Sequence, residues 1–308
     1  VVASAKSDNQ TDGATLEKAD LENFPVAPSF LPAAWRTDLM AVYGFARLVD
    51  DAGDGDLADP ERVAELLDVP VVADRTAFRL GLLDGLERDL DRAFEAALGR
   101  GAEPPRHPLM KALVPLADRH PVTPEPFRRL IEANRVDQTT TRYATYRDLI
   151  GYCTLSADPV GRLVLAIAGV ATPERIALSD AICSGLQIVE HIQDVAEDLD
   201  RGRIYLPADS LERFGVTEAD LAEPTAGPRV RELIAFEAER VRTLLDRGAP
   251  LVGTVHGRLR LLLAGFTAGG YAALEAVEAA GYDVLAQQPK PDKRRLALRA
   301  AALFAKGR

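Results

Sequence analysis

The chain is 308 residues long, 47% hydrophobic and 27% charged, the balance of a folded globular protein with room for one large domain or two ordinary ones. Its 47 acidic side chains outnumber 37 basic ones, for a formal net charge of −10. That excludes nucleic acid as a main partner, because phosphate backbones need clustered Lys and Arg, and it obliges any anionic ligand to be met by local cations or bound metal.

The first twenty residues lack the apolar middle of a signal peptide and read as a disordered lead-in, which leaves 21–308 for the folded part. From there apolar residues recur at three- and four-residue spacing, with no period-two strand and no Asn-Gly hairpin signal. The spacing predicts helices over 35–51, 60–68, 75–99, 108–119, 124–139, 146–170, 173–200, 228–247, 252–280 and 292–305. "GRGAEPPRHP", "HPVTPEPF" and "TAGPR" supply the breaks, and none has the length of an interdomain linker. The fold class is therefore all-α, as one helical domain. No apolar run reaches the roughly 18 residues of a membrane span, so the chain reads as soluble. Cys153 and Cys183 fit a reducing compartment as small buried residues, with a single disulfide left open. His107, His120, His191 and His256 show no metal-ligand spacing and read as structural or surface residues.

Charge is concentrated in two places. In "YGFARLVDDAGDGD", residues 43–56, a helix turning 100° per residue places Tyr43, Arg47, Asp50 and Asp54 within about 60° of one another. Asp50 and Asp54 repel each other at i,i+4, which calls for a compensating cation. On this cluster alone a solvated turn remains open, as does a calcium loop: "DDAGDGDLADPE" nearly matches the EF-hand pattern but has Ala52 where a ligand belongs. A second stripe lies in "GLQIVEHIQDVAEDLDRGRIYLP", residues 185–207, where Gln187, Glu190, Asp194 and Asp198 occupy about 80° of a helix. Glu197 and Asp200 read as a solvated helix end. Two such carboxylate faces meeting across a bundle would hold Mg²⁺, a hard cation that joins a few carboxylates to substrate phosphates. Arg47, Arg201 and Arg203 would then contact phosphate directly.

These residues resemble the squalene/phytoene synthases, all-α isoprenoid synthases with a central apolar cavity. The likeness rests on "YGFARLVDDAGD", "YCTLSADPVGRL" and "QDVAEDLDRGRIYLP" in that order, and it spans about 21–290. It implies that Asp50 and Asp54 bind Mg²⁺ as a first motif and Asp194 and Asp198 as a second, with Glu190 standing where Asn is common. It implies diphosphate contacts from Arg47 and Arg203, and places Tyr43, Tyr152 and Tyr205 around the reacting carbons with Gln187 at a polar cavity position. Gln193 stands where Arg is common, a departure that argues against simple two-substrate condensation.

Carbocation chemistry wants an apolar cavity walled by aromatic faces, for which Tyr43, Phe45, Tyr152 and Phe266 are candidates, each with core packing as the plainer role. Gly161, costly by about 1 kcal/mol inside a helix, marks the approach of either a prenyl chain or a neighbouring helix. Within the family, "ENFPVAPSFLP" and "LQIVEHIQDV" resemble the bacterial hopanoid-pathway hydroxysqualene synthases. The implied reaction ionises presqualene diphosphate and quenches the cation with water, with no nicotinamide and with a presqualene diphosphate synthase handing over the substrate. Head-to-head condensation of farnesyl or geranylgeranyl diphosphate to presqualene diphosphate, squalene or phytoene is the alternative within the class, and a non-catalytic calcium-binding helical protein the alternative outside it. The basic tail "KPDKRRLALRAAALFAKGR" is a plain surface helix or a transient contact with anionic lipid, for an enzyme that is cytoplasmic and peripheral to the membrane.

Overall fold

The computed structural model describes residues 26–100 and 103–306; the disordered lead-in expected over 1–20 lies outside them. Among the described residues there are helices and no strand, only an isolated bridge between Arg142 and Ile204. In chain order the helices are α1 (Ala33–Asp54), α2 (Pro60–Leu67), α3 (Arg75–Ala97), α4 (Pro108–Lys111), α5 (Leu113–Arg119), α6 (Pro124–Val136), α7 (Tyr146–Ser156) and α8 (Asp158–Ile167). They continue as α9 (Pro173–Gln193), α10 (Val195–Asp200), α11 (Ala208–Phe214), α12 (Glu218–Leu221), α13 (Pro228–Gly248), α14 (Leu251–Thr254), α15 (Gly257–Ala279) and α16 (Lys293–Lys306). The chain divides into two compact units, one of residues up to Thr139 with Arg162–Ala171, the other of Thr140–Gly161 with Thr172 onward.

In the first unit α1 packs on α3 and α6. Its buried residues Val42, Phe45, Leu48, Val49 and Ala52 follow the three-and-four spacing of one helix face. Phe45 is fully buried and meets Phe127 of α6 edge-on at 5.0 Å, and Phe127 in turn meets Phe94 of α3 at 5.6 Å. Phe45 therefore takes the core role rather than that of a cavity wall, a burial worth about 1.5–3 kcal/mol.

In the second unit α9 packs against α13 and α15. The helices come close at Gly248, where an added Cβ would lie 2.5 Å from Ile182 Cγ1 and 2.8 Å from the Leu178 carbonyl oxygen. A side chain there would push α13 off α9.

Four expected helices are divided, the first of them, predicted over 108–119, at Ala112. The stretch predicted over 146–170 breaks at Ala157, because Pro159 lacks an N–H and is tolerated only in a first turn, so α8 starts anew at Asp158. The one predicted over 173–200 breaks at Asp194, and the one over 252–280 at the extended pair Val255 and His256. The short helices α11 and α12 were not expected. Tyr146–Ile167 has the length and apolar content of a membrane span, but half of it is buried in the protein, as in a core helix. Both cysteines are free, and burial pushes each thiol up to about 12.

Candidate functional site

The first acidic face is the last two turns of α1. The helix runs through Asp54 and stops at Gly55, whose φ of 81° lets its N–H return to the Asp51 carbonyl. Asp50 through Asp54 are thus helical, and Glu61 is an exposed first-turn residue of α2. A calcium loop would need these residues to wrap a cation from non-helical backbone, so that reading fails.

Three carboxylates at a helix C-terminus oppose the macrodipole as well as one another, and the structure answers with nearby donors. Arg47 Nε lies 3.0 Å from Oδ1 of the buried Asp51. Asn134 Nδ2 donates to Asp50 Oδ1 at 3.0 Å, while Gln138 Nε2 donates to the Gly53 carbonyl at 2.9 Å, so α6 and the turn that follows it grip the acidic end of α1. Asp50 turns one side to solvent with protein around the rest; that burial, more than the charges of Asp54 and Asp51, pushes its carboxyl up to about 6 against the opposing pull of Asn134 and Arg47. Tyr43, Arg47 and Asp54 are half-buried on this helix.

The second face lies where α9 gives way to α10. Asp194 adopts φ −103° and ψ 13°, outside the helical well, while helical hydrogen bonds continue on either side from Asp194 N to Glu190 O and from Asp198 N to Asp194 O. Such bridge-region backbone is sparsely allowed and recurs at active sites. The kink accompanies a capture: Gln288 Nε2 donates to Asp194 Oδ1. Burial raises the Asp194 carboxyl above its ordinary range, Gln288 holds it down, and Asp198 and Glu197 push it up again. Glu190 and Asp198 are half-buried beside it. Arg201 pairs with Glu197 at 2.9 Å on the surface, and Asp200 is exposed, the solvated helix end expected of Glu197 and Asp200. The half-buried Arg203 follows Gly202, which takes φ 77°, and its N–H donates to the Asp198 carbonyl.

Beside that stripe lies a ring cluster. Tyr152 of α7 and Tyr205, both buried, have centroids 5.8 Å apart. Joining them are two residues the sequence did not single out: Tyr143, 5.5 Å from Tyr152 and 5.7 Å from Tyr205, and His191, stacked on Tyr205 at 3.6 Å with the planes 9° apart. His191 also faces Gln187, at 3.2 Å, and Asp198, at 3.7 Å. Backbone bonds from Ile204 to Thr141 and from Ala208 to Tyr143 hold Tyr205 in place. Phe266 is half-buried on α15. At Gly161 the neighbour is a helix: an added Cβ would strike Ser179 Oγ and lie 2.6 Å from Cys183 Sγ, both on α9.

Do these residues suit a divalent cation? Asp198 Oδ2 is buried without a hydrogen-bond partner, with His191 Nδ1 3.7 Å away, so a cation there would supply the oxygen with a direct partner. The donors on both faces are carboxylate oxygens, the ligands of a hard ion. Among the described residues no three His, Cys, Asp or Glu side chains gather closely enough to hold a metal unaided. A hard cation held here would need waters or phosphate oxygens to complete its shell, as Mg²⁺ does beside one or two carboxylates.

A helical chain that carries two carboxylate stripes, an aromatic cluster beside one of them and this succession of elements has the architecture of the all-α isoprenoid synthases. It superposes on the squalene synthase HpnC from Alicyclobacillus acidocaldarius with a TM-score of 0.73 and 39% identity, over 92% of this chain and 97% of that one. A ligand-bound dehydrosqualene synthase shares the fold, with a TM-score of 0.75 at 21% identity over 98% of each chain. The squalene/phytoene synthase family model matches residues 18–298, and the chain belongs to that family as an enzyme of prenyl diphosphate chemistry. Its relatives include the hydroxysqualene synthase of Rhodopseudomonas palustris (strain ATCC BAA-98 / CGA009), 34% identical over 76% of this chain and 71% of that protein. They also include the phytoene synthase of Arthrospira platensis, 31% identical over 78% and 74%.

Proposed function

We propose that the enzyme converts presqualene diphosphate and water into hydroxysqualene and diphosphate. The observation that carries this choice within the family is Gln193. Where an Arg would stand beside diphosphate, this chain has a buried amide that donates to the Pro289 carbonyl, so the position serves the fold rather than a second anionic substrate. The hydroxysqualene synthases among the relatives support the same reading.

Asp50 and Asp54 on one face, and Asp194 and Asp198 with Glu190 on the other, are the proposed Mg²⁺ ligands; the bound ion would neutralise the diphosphate as it leaves. Arg47 and Arg203 contribute charge-assisted hydrogen bonds to the diphosphate oxygens. The carbon–oxygen bond breaks with its electron pair on diphosphate and leaves a cyclopropylcarbinyl cation. The ring faces of Tyr152 and Tyr205, with Tyr43 and Phe266, stabilise that cation without attacking it. Gln187, with an amide that both donates and accepts, holds a polar position among these apolar neighbours. Water adds to the rearranged cation and loses a proton, so the reaction needs no nicotinamide reductant. The enzyme works in the cytoplasm and touches the membrane surface transiently, where a presqualene diphosphate synthase hands over the oily substrate.

Phytoene synthases among the relatives favour the second reading, head-to-head condensation. The two separate in one experiment: purified enzyme with Mg²⁺ receives presqualene diphosphate or farnesyl diphosphate in separate tubes. Formation of hydroxysqualene from the first alone is expected. Consumption of farnesyl diphosphate by itself, with a condensed product accumulating, would overturn the assignment.

A further inference from the structure

The segment between α15 and α16, residues 280–292, is non-helical and bonds to the second acidic face. Its first part is anchored conventionally. Asp283 accepts from Ala226 N at 2.9 Å and pairs with Arg231 at 2.7 Å, and Val284 and Leu285 are buried. Beyond that, two amides tie it to the end of α9: Gln288 Nε2 donates to Asp194 Oδ1, and Gln193 Nε2 donates to the Pro289 carbonyl. The bonds run in opposite directions between adjacent residue pairs, 193–194 and 288–289, and make a reciprocal clasp. Gln288 itself is exposed and lines a groove of about 520 Å³ with Ala272, Ala276 and Ala279 of α15, so its position owes more to that hydrogen bond than to packing.

We propose that Gln288 is a positioning residue for Asp194: it occupies Oδ1, fixes the carboxylate plane at the kink between α9 and α10, and so directs Oδ2 toward Mg²⁺, with Gln193 holding the segment that carries it. The proposal rests on Asp194 as a metal ligand. A hydrogen bond to a ligating carboxylate is worth roughly 10–100-fold in metal affinity. Linkage is reciprocal, so metal that prefers the clasped Asp194 must also hold the clasp shut.

The probes are Mg²⁺ and inorganic pyrophosphate on the full chain, read by calorimetry and by amide exchange across 284–292. In the unaltered protein, Mg²⁺ with pyrophosphate should slow exchange in this segment. In Gln288→Leu, half-maximal binding should need roughly tenfold more Mg²⁺ and the added protection should vanish; Gln193→Leu should lose the protection with a smaller shift in Mg²⁺ requirement. Asp194→Ala serves as the control. If Asp194→Ala removes Mg²⁺-dependent binding while Gln288→Leu leaves both the midpoint and the exchange unaltered, the clasp does not position Asp194. If Asp194→Ala itself changes nothing, the ligand assignment fails first, and the clasp proposal falls with it. Because the Gln288 side chain is exposed, loss of the fold would not confuse the result.

Discussion

The two acidic faces carry the same residue types yet are supported differently. In the first unit the carboxylates end a long helix whose other face is core, and the group donating to Asp50 is Asn134, buried in α6 and also bonded to its own Leu130 carbonyl. In the second the carboxylates sit at a break, and the group donating to Asp194 is Gln288, an exposed side chain on a non-helical segment. A carboxylate braced from within a helix cannot relax without disturbing the core, whereas one braced by a strap can. The first face is therefore built for fixed geometry and the second for adjustment, the more so because Asp194 leaves the helical well while Asp50 does not.

The largest expected effect tests whether both faces serve one reaction. Asp50→Ala and Asp194→Ala should each reduce turnover of the proposed substrate, presqualene diphosphate, by about a hundred- to a thousandfold, as removal of charge stabilisation at a departing group does, with the helical circular dichroism retained. Loss in one variant alone would break the symmetry of assignment. Next comes Asn134→Leu, nearly isosteric but unable to donate. It should raise the Mg²⁺ requirement roughly 10–100-fold and also lower the stability of the metal-free protein by about 1.5–3 kcal/mol, since the lost bond was to a charged group. Gln288→Leu should shift only the Mg²⁺ requirement. If both variants cost stability equally, the contrast between core brace and strap is wrong.

Much of this was legible in the sequence, and the gaps have physical causes. The 3.6-residue period and the Pro and Gly punctuation placed the long helices because burial of one face is a local pattern, and the acidic stripes showed for the same reason. The break at Asp194 did not show, because the partner bonded there lies 94 residues away. Tyr143 sits in a polar stretch without periodicity and joins the ring cluster through the pairing of 141–144 with 204–209. His191 was visible but had no reason to be chosen until Tyr205 lay against it. Asn134 on α6 and Gln138 in the turn after it stand four residues apart, a polar pair readable in the sequence, though its target was not. The short helix α12 carried a readable signal, the capping box of Thr217 and Asp220.

Gly161 sharpens the comparison from the packing side. Its neighbours Ser179 and Cys183 stand on α9, the helix whose far end carries Asp194, so a branched side chain at 161 would strain α9 in the same unit. Gly161→Val should lower stability by about 1–3 kcal/mol through overpacking, seen as a drop in melting temperature. An unaltered melting temperature with lost turnover would instead make Gly161 a wall for the prenyl chain.

The smallest effect belongs to Arg201. Its ion pair with Glu197 is solvated on both sides, with side-chain exposures of 57% and 60%, and exposed pairs at i,i+4 contribute about 0.3–0.5 kcal/mol. Arg201→Ala should therefore leave the melting temperature nearly unmoved. The same variant asks where the second acidic face ends. If diphosphate contact is confined to Arg203, which follows the φ-positive Gly202 and bonds back to Asp198, the KM for presqualene diphosphate should also stay within about twofold, a change of under half a kcal/mol. A tenfold rise in KM would extend the anion contacts from Arg203 back to Arg201, directly after α10, and would remove Arg201 from the solvated helix end that its pairing with Glu197 describes.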